Sequence, residues 1–284
     1  MQYGIVVDSG CDMIDLGANI TGNIDFTRVP LKLDIGDKEF VDDFNLDTKE
    51  FMKEMYDYKG KTGSAAPSPQ TWFDAYEKSE YVFVISITGT LSGSFSSAQT
   101  AADMFKEQYP NRKIYLIDSK SAGPEISLIA QKIAQYISEG LDFETICERI
   151  EDYRKHTSLL FILKSLDNLI KNGRVSKIKG TIAGLLGIKI LGTASDEGDL
   201  ELLQKCRGKM TAYDHAIKEM LKRNYNGGKI IISHCFAEDT AEYIIAKIKE
   251  QYPNCSTQIM STSGLCSYYA EQGGLLIGFE SGDL

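Results

Sequence analysis

Hydrophobic positions along the chain follow two patterns: short unbroken apolar runs, and longer stretches in which apolar residues recur at helical spacing. Unbroken runs of β-branched residues are typical of parallel strands that are covered on both faces. The run from Tyr81 to Ile87 is the clearest of these, and it ends in the glycine- and hydroxyl-rich turn from Thr88 to Ser94. We therefore predict a strand, a tight turn and a helix that begins near Phe95.

The first half of the chain alternates such runs with helical patterns. Strands are predicted at residues 3–7 and 113–118, two short strands around Gly36-Asp37 within 29–41, and helices after the N-cap residues Asp47 and Ser68 and at 95–109, 123–139 and 142–155. Regular alternation of this kind predicts an α/β domain with a parallel sheet.

The order of elements changes after His156. Strands are predicted at 157–163, 188–193, 200–206, 229–234, 255–259 and 275–279, helices at 210–223 and 239–250, and two apolar helices around a glycine turn within 166–187. This order predicts an α+β domain with a mixed or antiparallel sheet. The expected domains are therefore residues 1–156 and 157–284.

Hydroxyl-bearing loops follow or precede several predicted elements of the first half. They are Lys61 to Pro69, Thr88 to Ser94 and Asp118 to Gly123. A doubly wound sheet brings loops at the carboxyl ends of its strands together, and helix starts suit a negatively charged group. A small acidic group is expected to fit there, although ordinary turns with serine N-caps would have the same residues. Asp8, after the first strand, is expected either to orient these hydroxyls or to serve as a turn residue.

Composition narrows the class of protein. The 284 residues are 43% hydrophobic, enough for two domains, and 31 lysines and arginines stand against 40 aspartates and glutamates, a net charge of −9. An acidic chain is repelled by nucleic acid and by anionic membrane surfaces. No run approaches the roughly 18 apolar residues of a membrane span. The amino terminus leads directly into a strand rather than a signal peptide, so a cytoplasmic protein is expected.

Neither a metal site nor a disulfide framework is expected. The six cysteines are scattered with no CxxC pair, and the three histidines are not spaced as a pair of metal ligands. Such spacing is typical of reduced, mostly buried thiols. No cofactor is predicted.

Seven short segments, taken together and in order, resemble the DegV family, which includes the fatty-acid-binding subunits of bacterial fatty-acid kinase. They are VVDSGCDM from Val6, SAAPSP from Ser64, ITGTLSGSFSSA from Ile87, IDSKSAG from Ile117, LDNLIKNGRVSK from Leu166, LLGIKIL from Leu185 and CRGKMTA from Cys206. The resemblance covers essentially the whole chain. It implies a non-catalytic protein that holds a long-chain fatty acid between an α/β and an α+β domain.

The resemblance also implies site residues. The carboxylate-binding hydroxyls fall on Ser64, where threonine is more usual, and on Ser92, with Thr90 and Gly93 in the same turn. The family's threonine-histidine-threonine-glycine element stands here as residues 261–264, so that Thr262 replaces the histidine and Ser263 follows it. Arg174 is hypothesised to brace the head-group loops rather than to bind the ligand. Arg207 matches a surface position that, in kinase-coupled members, contacts the kinase catalytic protein.

A fatty acid needs an apolar sleeve and a polar end. At about 0.8 kcal/mol per buried methylene, a chain of roughly 16 carbons contributes about 10 kcal/mol before ordering costs. Uncharged donors at Ser64 and Ser92 and helix-start amides are expected to meet the carboxyl head. The expected sleeve residues are Leu159, Phe161, Leu166, Leu169, Ile170, Ile182, Leu185, Leu186 and Ile188.

Two other functions remain open on the sequence alone. One is an enzyme, either a serine hydrolase or a phosphotransferase that uses the Ser92 loop, although GTLSG departs from GxSxG and GTLSGS lacks the P-loop lysine. Ser176 to Lys179 also fits an SxxK pattern, which a solvated helix face would produce by chance. The other is a regulatory module whose lipid merely completes the fold.

Overall fold

The computed structural model describes residues 2–17, 20, 22–175 and 188–282. Its strands are β1 (Tyr3–Asp8), β2 (Ile24–Val29), β3 (Lys32–Ile35), β4 (Lys38–Val41), β5 (Thr62–Ala65), β6 (Tyr81–Ser86), β7 (Lys113–Asp118), β8 (Thr157–Leu163), β9 (Ile188–Ala194), β10 (Leu200–Arg207), β11 (Ile230–His234), β12 (Thr257–Ser261) and β13 (Leu275–Glu280). The helices of this part of the chain are α1 (Thr48–Asp57), α2 (Pro69–Tyr76), α3 (Ser94–Gln108), α4 (Pro124–Ser138), α5 (Phe143–Tyr153), α6 (Asp167–Lys171), α7 (Lys209–Lys222), α8 (Glu238–Gln251) and α9 (Gly264–Ala270), with a 3₁₀ turn at Arg154–His156.

A four-stranded parallel sheet forms the centre of the first half, in the order β2-β1-β6-β7. This confirms the predicted parallel α/β architecture. Ile5 of β1 is fully buried and pairs with Phe26 of β2 and Phe83 of β6. Strand β2 was not predicted, because polar residues interrupt its apolar positions at this edge of the sheet.

A small antiparallel sheet, β4-β3-β5, covers one end of this half. The predicted hairpin is confirmed, with Gly36 in the left-handed region at φ 61° between β3 and β4. The segment around Ser64, predicted as a loop, instead forms strand β5, in which Ser64 pairs with Leu33. Asp47 and Ser68 cap α1 and α2 as predicted.

The second half contains a six-stranded sheet in the order β10-β9-β8-β13-β11-β12. Every neighbouring pair is antiparallel except β11 and β12, which are parallel, so the predicted mixed sheet is confirmed. Helix α9 was not predicted. The second of the two predicted apolar helices falls on residues 176–187, outside the described residues.

A shared core joins the two sheets through α4. Ile129 and Ile133 of α4 belong to one buried cluster with Ile5 of the parallel sheet and Ile231 of the six-stranded sheet. The division into residues 1–156 and 157–284 stays a prediction. Strand β8 begins at Thr157, but the buried core is continuous across that point. Within the described ranges, no helix is long and apolar enough to cross a bilayer.

Candidate ligand-binding site

A cavity lies between the loops that follow β6 and β7 and one face of the six-stranded sheet. Its walls are Leu31, Ser64, Ala66, Ile87, Leu91, Ser92, Gly93, Ala122, Leu159, Phe161, Leu163, Leu169, Arg174, Leu200, Leu265, Cys266, Tyr269, Ala270 and Leu276. Most of these side chains are aliphatic. A concave, mostly apolar wall with a few polar groups is typical of small-molecule sites.

The apolar wall is formed mainly by alternate residues of β8. Leu159, Phe161 and Leu163 share one face of the strand because side chains alternate, and Leu276 of β13 pairs with Phe161. From Leu159 to Leu163 the strand extends for about 13 Å. This part of the cavity wall is therefore both apolar and elongated.

The predicted sleeve residues have different outcomes. Leu159, Phe161 and Leu169 line the cavity, whereas Leu166 and Ile188 belong to the adjoining apolar cluster without lining it. Ile170 is 38% exposed and lies outside the cavity, because it is on the solvent side of the short helix α6. Ile182, Leu185 and Leu186 lie outside the described residues.

The polar residues Ser64, Ser92 and Arg174, together with Gly93, line the same cavity although they come from three separate segments. A Cβ placed on Gly93 would lie 3.8 Å from Cβ of Ala66, so the Ser64 and Ser92 segments are neighbours. A Cβ on Gly63 would lie 3.6 Å from Oδ1 of Asn172, two residues before Arg174. These segments are therefore neighbours on the cavity wall.

Ser92 lies at the start of helix α3. Its Oγ accepts a hydrogen bond from the Ser94 amide at 3.2 Å, and its own amide donates to the Thr88 carbonyl at 3.2 Å. Since Oγ accepts in this contact, its proton stays available to a ligand. The N-cap residue Gly93 offers no side-chain hydrogen bond to the helix, and the positive end of the α3 dipole favours an anion beside it.

Asp8 fixes the shape of this turn. Its buried carboxylate accepts hydrogen bonds from Ser94 Oγ at 2.6 Å and from the amides of Ile87 and Gly10 at 3.0 Å. Burial raises the pKa of Asp8 to about 6, in spite of these three donors, which act to lower it. The contacts support both roles considered for Asp8: it orients the Ser94 hydroxyl, and its bond from the Gly10 amide, two residues on, is typical of a turn aspartate.

Ser64 has a partner that the sequence analysis did not identify. Its Oγ lies 2.8 Å from the hydroxyl of Tyr269, which comes from α9, 205 residues further along the chain, and also lines the cavity. The neighbouring Tyr268 places its own hydroxyl 2.7 Å from Thr62 Oγ1 and accepts from Asn172 at 2.8 Å. Helix α9 is thus connected both to β5 and to the segment before Arg174.

Arg174 lines the cavity, and its amide donates to the Leu169 carbonyl at 2.8 Å. Its guanidinium forms no hydrogen bond with any residue in the described part of the chain. The side-chain contacts expected of a residue that braces the head-group loops are therefore not found there. Its charge is instead next to the cavity.

The other predicted site residues lie away from the cavity walls. Thr90 Oγ1 donates to the Gly198 carbonyl at 2.7 Å. Thr262 Oγ1 lies 2.6 Å from Ser267 Oγ, and Ser263 Oγ donates to the Ser9 carbonyl at 2.7 Å. Arg207 is exposed at the end of β10.

Two buried aspartates hold the start of α9, which the sequence analysis also missed. Asp42 accepts from the amides of Gly264 and Leu265, each at 2.8 Å, and Asp12 accepts from the Ser263 amide at 2.8 Å. Burial raises the pKa of both carboxyls. These contacts join the two halves and position Leu265, Cys266 and Tyr269 along the cavity.

The groups that hydrolysis or phosphoryl transfer would need are not assembled at this site in the described residues. His156, His215 and His234 do not line the cavity. No cluster of metal-ligating side chains occurs in residues 2–17, 20, 22–175 and 188–282. The SxxK pattern of Ser176 to Lys179 lies outside them.

The fold and the cavity define a class: an α/β protein with a parallel and a mixed sheet, and with a mostly apolar cavity that hydroxyl groups also line. The family described as "Uncharacterised protein, DegV family" matches residues 2–281. The chain therefore belongs to the DegV family. A DegV domain-containing protein of Streptococcus pneumoniae is 44% identical over 280 residues, covering 99% of each chain.

Solved structures are similar over the same length. The Streptococcus pneumoniae fatty acid kinase (Fak) B3 protein, loaded with linoleic acid, is 43% identical with a TM-score of 0.95, covering 99% of this chain and 100% of that one. A DegV family protein of Eubacterium eligens, loaded with heptadecanoic acid, is 36% identical with a TM-score of 0.93 and the same coverage. Relatives of the same fold thus bind long-chain fatty acids.

Proposed function

We propose that this protein is a fatty-acid-binding protein that holds a long-chain acid in the cavity between its two sheets and presents it to a fatty-acid kinase. The observation that carries the proposal is the cavity itself, whose wall along β8 is apolar and whose polar lining residues include Ser64, Ser92 and Arg174. The fatty acids bound by the similar Streptococcus and Eubacterium proteins support the same ligand class.

The acyl chain supplies most of the binding free energy. Each methylene transferred from water to the wall of Leu159, Phe161 and Leu163 contributes about 0.8 kcal/mol. These residues are almost fully buried, so their side chains are held in place before the ligand binds. Preorganisation lowers the entropy cost of binding.

The carboxyl head lies at the neighbouring segments that carry Ser64, Ser92 and Arg174. The free hydroxyl proton of Ser92 and the amides at the start of α3 act as donors, and the Arg174 guanidinium supplies a positive charge on the same wall. An ionised carboxylate without such partners would cost several kcal/mol in an apolar cavity. We therefore assign Arg174 to the ligand's charge rather than to bracing the loops.

The kinase partner binds elsewhere on the surface. Arg207 is exposed at the end of β10 and is not among the cavity residues, so an interaction there leaves the acyl chain covered. An arginine fork suits a carboxylate or phosphate of a partner protein. Arg207 therefore belongs to the surface that contacts the kinase catalytic protein.

Two variants separate binding from presentation. Ser92→Ala should weaken the binding of a C16 or C18 acid by roughly 1 to 3 kcal/mol, because a donor to the buried head is lost. Isothermal titration or fluorescent fatty-acid displacement measures this change. Ser96→Ala, an exposed position of the same helix, is the matched control and should bind like the unmodified protein.

Arg207→Ala should bind the acid normally but support less phosphorylation of it by the kinase. Phosphate transfer to the bound lipid is measured with radiolabelled ATP at saturating acid.

Equal affinity in the unmodified protein and Ser92→Ala would remove Ser92 from the site. A parallel loss of binding and phosphorylation in Arg207→Ala would refute its role in the partner contact.

A further inference from the structure

The Ser64 and Tyr269 hydroxyls form a pair on the wall of the cavity. Their oxygens are 2.8 Å apart, and both residues line the cavity wall. Ser64 is supplied by β5 and Tyr269 by α9, so the pair exists only because these two elements are adjacent. No other side-chain hydrogen bond in the described residues joins two residues of this cavity.

Proton counting shows what the pair offers a ligand. Each hydroxyl has one proton, and the hydrogen bond between Ser64 and Tyr269 uses one of the two. Whichever residue donates, the other keeps a free O–H, and that donor is strengthened by the hydrogen bond its oxygen accepts. The pair therefore delivers one polarised donor to the cavity, and Ser92 delivers a second. Two donors match the two oxygens of a carboxylate.

The tyrosine ring is held firmly in this position. Its centroid lies 4.8 Å from that of Tyr268, at an interplanar angle of 76°, which is a favourable edge-to-face contact. Tyr268 is in turn fixed through its hydroxyl by Thr62 and Asn172. A ring held in this way orients its hydroxyl before the ligand arrives, which reduces the entropy cost of the interaction.

We propose that Tyr269 is a positioning residue for the head group, which fixes the Ser64 hydroxyl and makes the site selective for free acids over esters. This inference rests on the proposed fatty-acid binding and adds a residue to that site. A methyl ester has lost the charge and one of the acceptor positions that the two donors would meet. The phenol therefore contributes to the binding of the acid and little to the binding of the ester.

Tyr269→Phe tests the proposal because it keeps the ring and removes only the hydroxyl. Affinities for palmitic acid and for methyl palmitate are measured on the full chain. The variant should bind the acid about tenfold more weakly, because the Ser64 hydroxyl loses the partner that orients and polarises it. Its affinity for the ester should stay within about twofold of the unmodified value.

Two further variants separate this role from a structural one. Tyr225→Phe removes another buried phenol, which donates to the Gly228 carbonyl at 3.0 Å and belongs to the core on the opposite face of the six-stranded sheet, and it should leave both affinities unchanged. If Ser64 and Tyr269 act as one donor, Ser64→Ala and the double variant should bind the acid equally, within about twofold. Urea unfolding of each variant identifies any loss of stability.

The outcomes distinguish the inference from the proposed function. If the unmodified protein binds no fatty acid, the proposed function fails. If it binds the acid and Tyr269→Phe binds it equally well, or loses acid and ester in the same proportion, Tyr269 has no role in positioning the head group.

Discussion

At the scale of single residues, the site is organised by a buried carboxylate that is not on the cavity wall. Asp8 accepts from Ser94 and from two backbone amides, and so fixes the turn that carries Ser92. The raised pKa of about 6 means that the folded protein binds a proton on Asp8 more readily than the unfolded chain does. Fixing the turn in this shape therefore costs stability at neutral pH.

This predicts a pH dependence with a definite sign. The folded state takes up the proton as the pH falls through about 6, and the unfolded chain does so only near pH 4, so stability increases between those values on acidification. Relative to Asp8→Asn, which cannot titrate, the unmodified protein should gain about 1 kcal/mol in free energy of unfolding from pH 7 to pH 5. Urea denaturation of both proteins at the two pH values measures this gain. A relative loss on acidification would contradict the assigned shift.

Local pattern pointed to the hydroxyl-bearing loops, and the family resemblance singled out Ser64 and Ser92 within them; both line the cavity. Tyr269 was missed because GLCSYYA has the composition of an ordinary core segment, and nothing local indicates a contact with Ser64, 205 positions away. Thr262 and Ser263, also predicted as site residues, are not among the cavity-lining residues. Their hydroxyls bond to Ser267 and to the Ser9 carbonyl, contacts that no spacing rule reveals.

At the scale of elements, the turn between β9 and β10 joins the second half to the hydroxyl-rich loop. Thr88 and Thr90 both donate to the Gly198 carbonyl, at 2.9 and 2.7 Å, and Lys120 donates to the Asp196 carbonyl at 2.9 Å. Gly198 has a φ of 86°, and a Cβ there would lie 2.2 Å from Thr88 Oγ1. The close approach therefore requires glycine.

Gly198→Ala should consequently destabilise the protein more than a substitution that only strains the backbone. Gly140 has a similar φ of 81° but no atom within 4 Å of its Cβ position, so Gly140→Ala is the matched control. Both variants pay about 1 to 2 kcal/mol for the left-handed backbone, and Gly198→Ala should lose about 1 to 3 kcal/mol more through the clash. Thermal or urea unfolding compares them, and equal destabilisation would show that this contact contributes nothing.

The predictability of the elements follows from the strength of their patterns. Strand β6 and helix α4 were predicted nearly to their observed ends, because long apolar runs and helical spacing dominate them. Strand β2 (IDFTRV) was missed because polar residues interrupt its apolar positions, and strand β5 (TGSA) was missed because it has little apolar character. Pairing with β1 decides the conformation of β2, and pairing with β3 decides that of β5. Helix α9 is short, and the buried carboxylates of Asp12 and Asp42 hold its start.

At the scale of the whole molecule, the cavity results from how the two halves meet. Helix α4 lies in a core that both sheets share. The Asp42 carboxylate of the first half accepts hydrogen bonds from the start of α9 in the second half. The family resemblance predicted both sheet types and the ligand class, since it draws on the order of motifs along the chain. The cavity is enclosed by segments that are far apart in the sequence, and no local sequence pattern predicts how they fit together.

The net charge of −9 also belongs to the scale of the whole molecule. It disfavours non-specific contact with anionic polymers, and it means that local groups must compensate the charge of a buried anion. The central claim is that the protein holds a fatty acid with its apolar tail along β8 and its carboxyl head at the converging loops. A crystal structure of the protein loaded with a C16 or C18 acid tests it most directly. Continuous density should run past Leu159 and Phe161, with the carboxylate within hydrogen-bond distance of Ser92 and of the Ser64 and Tyr269 pair. A carboxylate at the Leu159 end, or an acid bound outside this cavity, would contradict the account.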